Sequence, residues 1–311
     1  MATRVSLLRS VRQREERQQI GNLSTPFVRG LKEIEQACLI RLSEAARESQ
    51  QVQIALNSVI RAQRLDAQPS ATVVEEFANV LWLQKEEKLA VQFLQNLVEQ
   101  ADPSDNTRRA LWLSRLGTWT SEACLAKPTE IRERYFFPSI SLLLDGEGMD
   151  VSDDTATVYR QCAMFAERQY HATLKSPDVL RWKIYVERKQ QEIEQRDKEL
   201  AKIYDKQTRD TVLDYQSKAE KLLREDSELF KRHHTLRETF LKQALEMHSR
   251  CLVENSSKFD NDSAIRFCSL WLANFDDPLI LDCVKTSLDQ IPSRKLLFLA
   301  VSSFRIRFFT R

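Results

Sequence analysis

One hundred consecutive residues, Asp178 to Asp277, contain neither glycine nor proline. A stretch of that kind lacks the residues that make tight reversals cheap, so it must run as long regular elements. The same shortage marks the whole chain: its 311 residues include five glycines, where average usage would supply roughly four times as many. Folds built on tight β-turns or glycine-rich phosphate loops are excluded, and turns needing positive φ are expected to be few. Hydrophobic residues make up 42% and charged residues 30% of the chain, enough apolar surface for a core and enough charge to solvate long helices. The expected fold is all-α, an irregular α-solenoid of antiparallel helix pairs in the tetratricopeptide or HEAT style, with no strict repeat of fixed period.

Charge and cysteine usage narrow the setting. The 47 basic residues nearly cancel the 45 acidic ones, leaving a net charge of +2, which argues against direct nucleic-acid binding. Cys38, Cys124, Cys162, Cys251, Cys268 and Cys283 are dispersed without a CxxC pair, and Met1 to Arg17 carries charges where a signal peptide would be apolar. A reduced, intracellular environment is expected. The longest apolar run, Leu296 to Val301, falls far short of the roughly 20 residues that a membrane-spanning helix requires, so no membrane partner is expected.

Prolines fall where helices should begin, as in Ser176-Pro177-Asp178, Asp277-Pro278 and Ile291-Pro292-Ser293. Between such breaks apolar residues recur at helical spacing: Phe27, Leu31, Ile34 and Leu39; Val74, Phe77 and Leu81; Leu89, Phe93, Leu94 and Leu97. Helices are expected over 25–48, 51–65, 71–84, 86–101, 106–126 and 128–144, pairing as antiparallel hairpins. The acidic stretch from Asp145 to Asp154 holds two of the five glycines and is the clearest loop. Beyond it, Val186, Ile193 and Leu200 keep a seven-residue step that stops at Gln207, with Trp182 and Ile203 supplying part of a second seam. That pattern predicts a long charged hairpin packed along one edge. The expected divisions are a poorly ordered segment at 1–20, a first helical group at 21–145, a loop at 146–154, a second helical group with the long hairpin at 155–297, and a divergent tail at 298–311.

Residues able to do chemistry are sparse. No GxGxxG, GxxxxGK[ST], GxSxG, HExxH or Asp-Phe-Gly motif occurs. His248 and Cys251 could share a helix face as two metal ligands, but a structural zinc site needs four and no second pair stands at suitable spacing. His233-His234 sits among Lys231, Arg232 and Arg237 and reads as a solvated charge patch, while Asp153-Asp154 reads as helix-start acids. No catalytic, cofactor-binding or metal-binding residue is expected. Trp112, Leu116 and Trp119 step by helical intervals, as do Phe267, Leu270 and Trp271, and with Trp82 these seven are expected to be core. Trp119 in particular should lie between the two arms of the 106–144 hairpin.

Several stretches together resemble a known family. Glu75-Glu76-Phe77-Ala78-Asn79-Val80-Leu81-Trp82-Leu83-Gln84-Lys85-Glu86, followed by Leu89-Ala90-Val91, resembles the FAT-domain segment in which a helix ending Trp-Ala-Lys-Lys-Glu leads into Leu-Ala-Leu. Gly117-Thr118-Trp119-Thr120-Ser121-Glu122-Ala123-Cys124-Leu125-Ala126-Lys127-Pro128 is similar to that domain's Gly-x-Trp-x-Ala-Glu-x-x-Leu-Glu-x-Pro pattern. Tyr170, Ser176, the long hairpin, Arg266-Phe267-Cys268-Ser269-Leu270-Trp271-Leu272 and Ile291-Pro292-Ser293-Arg294-Lys295 resemble its later part. Order and spacing are those of the ATM branch of the phosphatidylinositol-kinase-related protein kinases, over residues 20 to 297.

The resemblance implies a segment of a helical scaffold that clamps a Ser/Thr kinase domain, with that domain and a second copy as partners. The parent would be a nuclear kinase answering DNA double-strand breaks and maintaining telomeres. The kinase domain belongs downstream of this segment, so no catalytic residue carries over. After Lys295 the sequence departs from the family and alternates at period two through Phe304, Ile306 and Phe308, the ending expected of a truncated or misframed product. Its apolar residues make 296–311 the expected site of self-association. Without the resemblance, the alternative is a free-standing α-solenoid adaptor that binds peptides in its groove.

Overall fold

The computed structural model describes residues 2–18, 26–66, 68–144, 153–200, 206–253 and 258–295. Every regular element among them is helical. They divide into two compact units, Met1–Glu147 and Gly148–Arg311. The tail at 296–311 and most of the acidic loop lie outside the described residues.

In the first unit, α1 (Ala2–Gln18), α2 (Pro26–Glu48), α3 (Val52–Gln63), α4 (Ala71–Leu83), α5 (Glu87–Gln100) and α6 (Asn106–Glu122) follow in order, and each packs on the next. Short connectors leave each helix no option but to fold back on its predecessor. α2 also reaches α4, the layered contact of a stacked helical array. The return arm begins as α7 (Pro128–Ile131), widens into a π-turn at Arg132–Phe136 and ends as α8 (Phe137–Leu144). The sequence predicts one helix here. Pro138 explains the interruption, because its ring crowds the carbonyl four residues earlier and it has no N–H to give.

Two further expectations need correction. Residues 2–18 are helical instead of poorly ordered: Val5 is buried in the α2–α3 core, and Arg12 Nε donates to Glu35 Oε2 at 2.7 Å. On α2, Phe27 and Ile34 point outward, 60% and 52% exposed, while the buried row runs Val28, Glu35, Leu39, Ile40, Ser43 and Ala46. A carboxylate and a hydroxyl sit on the inner face because α1 and α4 bring partners to them.

In the second unit, α9 (Asp153–Leu174), α10 (Pro177–Leu200), α11 (Lys206–Val253), α12 (Asp260–Ala273) and α13 (Pro278–Gln290) are organised around α11, which spans 48 residues. α10 runs back along its first part: Lys189 Nζ donates to Asp226 at 3.2 Å, Gln216 to Asp197 at 2.5 Å, and Trp182 meets His233 at 4.9 Å between ring centroids. His233 therefore sits in the hairpin seam, while His234 faces Glu238 at 3.2 Å on the outside. The later part of α11 packs on α9, α12 and α13 through Phe240, Leu245 and Leu252, with Phe165 meeting Phe240 edge-on at 6.0 Å.

Positive φ is not avoided; it falls on residues other than glycine. Gln50, Lys85 and Cys124 have φ of 59°, 67° and 53°. Each ends a helix, and the following amide reaches back across the last turn: Gln51 to Ala46 at 2.7 Å, Glu86 to Leu81 at 3.0 Å and Leu125 to Thr120 at 3.0 Å. These are Schellman terminations, which usually carry glycine because a Cβ in the left-handed region costs about 1–2 kcal/mol. Lys85→Gly should therefore stabilise the chain by about 1 kcal/mol. A higher melting temperature by circular dichroism is expected, and a lower one would show that Lys85 is held there without strain.

Candidate functional site

Helix α6 is the hub of the segment that contains the glycine-tryptophan pattern. Trp112 and Leu116 are fully buried from it, and Trp119 is 7% exposed. The Trp119 ring lies flat on Trp82 of α4, with centroids 4.8 Å apart and planes 4° from parallel. Its ring partner is thus in the preceding helix pair, where hairpin geometry alone placed it between the arms of 106–144. Trp82 is half-buried and covers the outer side of this stack. Trp112 lies under the Arg108 guanidinium, 5.0 Å from its centroid, and its indole N–H is buried without an acceptor. It contributes through apolar area and the cation above its face.

Gly117 has a direct steric reason. A Cβ built on it would stand 2.8 Å from two carbons of the Phe136 ring, which is itself fully buried in the π-turn. The missing side chain is the slot that lets the return arm close on α6. Arg115 Nη1 ties the same helix to α4 by donating to Glu75 at 2.6 Å. Beneath it, Glu76 is buried and accepts from Ser43 Oγ at 2.9 Å, from Arg47 at 3.2 and 3.3 Å and from Asn79 at 3.2 Å. The stretch from Glu75 to Trp82 is therefore where α2, α4 and α6 are pinned together, through Glu75, Glu76 and Trp82.

In the second unit Phe267 and Leu270 of α12 are buried and Trp271 is half-buried. The polar centre there is Glu167 on α9. Arg266 Nη1 donates to both its oxygens at 3.0 and 3.1 Å, and His248 Nε2 stands 3.3 Å from Oε2. Arg266 Nε and Arg160 Nη2 in turn donate to Asp262 at 3.0 and 2.7 Å. Burial alone would raise the Glu167 pKa; the hydrogen bond from His248 and the charge of Arg266 outweigh it and hold the carboxyl below its ordinary value. Asp262 is lowered too, its burial outweighed by its two arginines. His248 and Cys251, the pair considered as ligands, point to different partners: the Cys251 thiol donates to the Ala156 carbonyl at 3.2 Å. Among the described residues no three His, Cys, Asp or Glu side chains converge as a metal site. Sequence reasoning missed Glu167, because nothing within α9 marks its one glutamate as the partner of His248 and Arg266, which lie 81 and 99 residues further along the chain.

Buried tryptophans, a glycine slot and ion-paired helix crossings define a helical scaffold segment. Comparison with known proteins gives its family. No protein-family profile matches the chain. Serine/threonine-protein kinase TEL1 of Cryptococcus neoformans is 31% identical over 305 residues, covering 96% of this chain and 10% of that protein. The tel1 kinase of Emericella nidulans is 32% identical over 230 residues, 71% of this chain and 8% of the kinase. Serine-protein kinase ATM of Sus scrofa is 26% identical over 86% of this chain and 9% of its own length. The solved FAT and kinase domain of CtTel1 shares the fold, with a TM-score of 0.69 and 21% identity over 96% of this chain and 21% of that one. The chain belongs to the Tel1/ATM family of serine/threonine-protein kinases as a FAT-type helical segment, and it spans about a tenth of the length of the curated relatives it matches.

Two measurements test the packing. Gly117→Ala should destabilise the chain by about 1–3 kcal/mol, because overpacking against Phe136 exceeds the roughly 1 kcal/mol that alanine gains in a helix. A rise in melting temperature would show that the ring yields. Because the folded pKa of Glu167 is depressed, its stabilisation is present above the unfolded carboxylate value, about 4.3, and is lost as pH falls through the folded value. Acidification below about pH 4 should lower the melting temperature, less steeply in Glu167→Gln. Equal slopes in the two proteins would remove Glu167 as a source.

Proposed function

We propose that this chain is a non-catalytic FAT scaffold segment of an ATM-like serine/threonine kinase that acts in the nucleus, in the response to DNA double-strand breaks and in telomere maintenance. The observation that carries this reading is collinear similarity to TEL1 across 96% of the chain, together with the shared fold of the FAT and kinase domain of CtTel1. A scaffold works by holding geometry, and the side chains described above do that: ring stacks, a glycine slot and buried ion pairs set helix crossings. The partners are the kinase domain of the parent and a second copy of it; the complete CtTel1 dimer with C2 symmetry shares the fold at a TM-score of 0.69. Phosphoryl transfer needs a lysine and metal-holding acids around the nucleotide phosphates, so the segment acts on chemistry supplied by another domain.

The test is a chimera in which this segment replaces the corresponding part of Cryptococcus neoformans TEL1. The chimera should keep damage-stimulated kinase activity and normal telomere length, and the same chimera with Trp119→Ala, destabilised by about 3–5 kcal/mol, should lose both. The isolated chain should show no ATP-dependent phosphorylation. A folded chimera that is inactive, or phosphoryl transfer by the isolated chain, would overturn the scaffold reading.

A further inference from the structure

The first unit contains a cavity of about 600 Å³ between α1, α2 and the end of α3. Its apolar lining is Val5, Leu39, Leu42 and Leu65, of which Val5 and Leu39 belong to the buried core. Four arginines line it as well: Arg9 and Arg12 from α1, Arg61 from α3 and Arg64 just beyond. Glu35 is the one acid in the lining, and its carboxylate is already bonded to Arg12 at 2.7 Å with both side chains largely buried. That pair fixes α1 to α2 and leaves Arg9, Arg61 and Arg64 as uncompensated cations among the described residues that line the cavity. Three positive charges in one cavity exceed the net charge of the whole chain, which is +2. Elsewhere in the first unit Arg47 and Arg115, which reach across to α4, have carboxylate partners.

We infer that this cavity is a docking site for an acidic peptide segment, with an apolar side chain on the half-buried Leu42 and Leu65 and flanking carboxylates paired to Arg9, Arg61 and Arg64. Two features select that class. Arginine's planar fork suits carboxylates bidentately, and its cation stays charged at any working pH. A wholly hydrophilic polyanion would leave the leucine floor unused, and a purely apolar ligand would leave three cations facing it. The ligand must therefore carry both chemistries close together, as a short segment of Asp, Glu and Leu does. The inference is independent of kinase activity, so its failure leaves the scaffold reading untouched.

The experiment is fluorescence anisotropy of the full chain with a rhodamine-labelled peptide, Glu-Asp-Leu-Leu-Asp-Glu. It should bind saturably and weaken as salt rises. Affinity should fall at least tenfold in the triple variant R9E/R61E/R64E, whose changed residues are exposed and whose melting temperature should stay as in the parent chain. A peptide with serine in place of both leucines should bind at least fivefold more weakly. Absence of saturable binding, or equal binding by the folded triple variant, would overturn the site. Equal affinity for the serine peptide, or tighter binding of inorganic polyphosphate or a DNA oligonucleotide through the same arginines, would overturn the assignment to an acidic peptide.

Discussion

Carboxylates on the inner faces of helices set the pairings in this protein. Glu35, Glu76 and Glu167 lie on buried or nearly buried surfaces, and each takes its cation from another helix: Arg12 of α1, Arg47 of α2 and Arg266 of α12. Apolar contact between helices is non-directional and tolerates sliding or rotation. A buried carboxylate does not, because losing its partner leaves an uncompensated charge costing about 3–5 kcal/mol. The three pairs therefore act as registers. Each forbids alternatives that the leucine and alanine surfaces alone would accept, which matters in a stack of similar amphipathic helices.

Packing refines what the ion pairs select. In the first unit, Gly117 admits Phe136, and the π-turn around Phe136 accommodates Pro138. A single missing Cβ, a widened turn and a proline are thus one device for closing the return arm on α6. The Trp82–Trp119 stack then ties that hairpin to the pair before it. Such coupling between successive pairs is what a scaffold requires, since stability in a helical array is carried by neighbour interfaces. In the second unit α11 plays the corresponding part, its length allowing one helix to serve both the α10 hairpin and the core with α9, α12 and α13.

The resemblance to the FAT domain rested on patterns whose physical content became visible only in three dimensions. Trp82 and Trp119 belong to two stretches separated in sequence and meet ring to ring. Lys85, within the first stretch, is a left-handed helix terminator. Tyr170 and Arg266, in the later stretches, bind Asn274 and Glu167. Patterns of this kind are legible because they are local strings of apolar and small residues. Their partners are not, because a contact across 30 or 100 residues leaves no local trace.

What the sequence determined by itself was therefore the class and the layout. Scarce glycine, proline spacing and helical periodicity forced an all-α chain with helices near 25–48, 51–65, 71–84, 86–101 and 106–126, because those signals act within a few residues through backbone sterics and hydrogen bonding. Tertiary structure alone decided which face of α2 turned inward, where Phe27 and Ile34 lost to Glu35 and Ser43. It also decided that 2–18 would be a helix and that Lys85, Gln50 and Cys124 would adopt positive φ. On α1 and α2 the local preference is weak, about 1 kcal/mol or less per residue, and the Arg12–Glu35 pair and the Ser43–Glu76 hydrogen bond brought from elsewhere in the chain outweigh it.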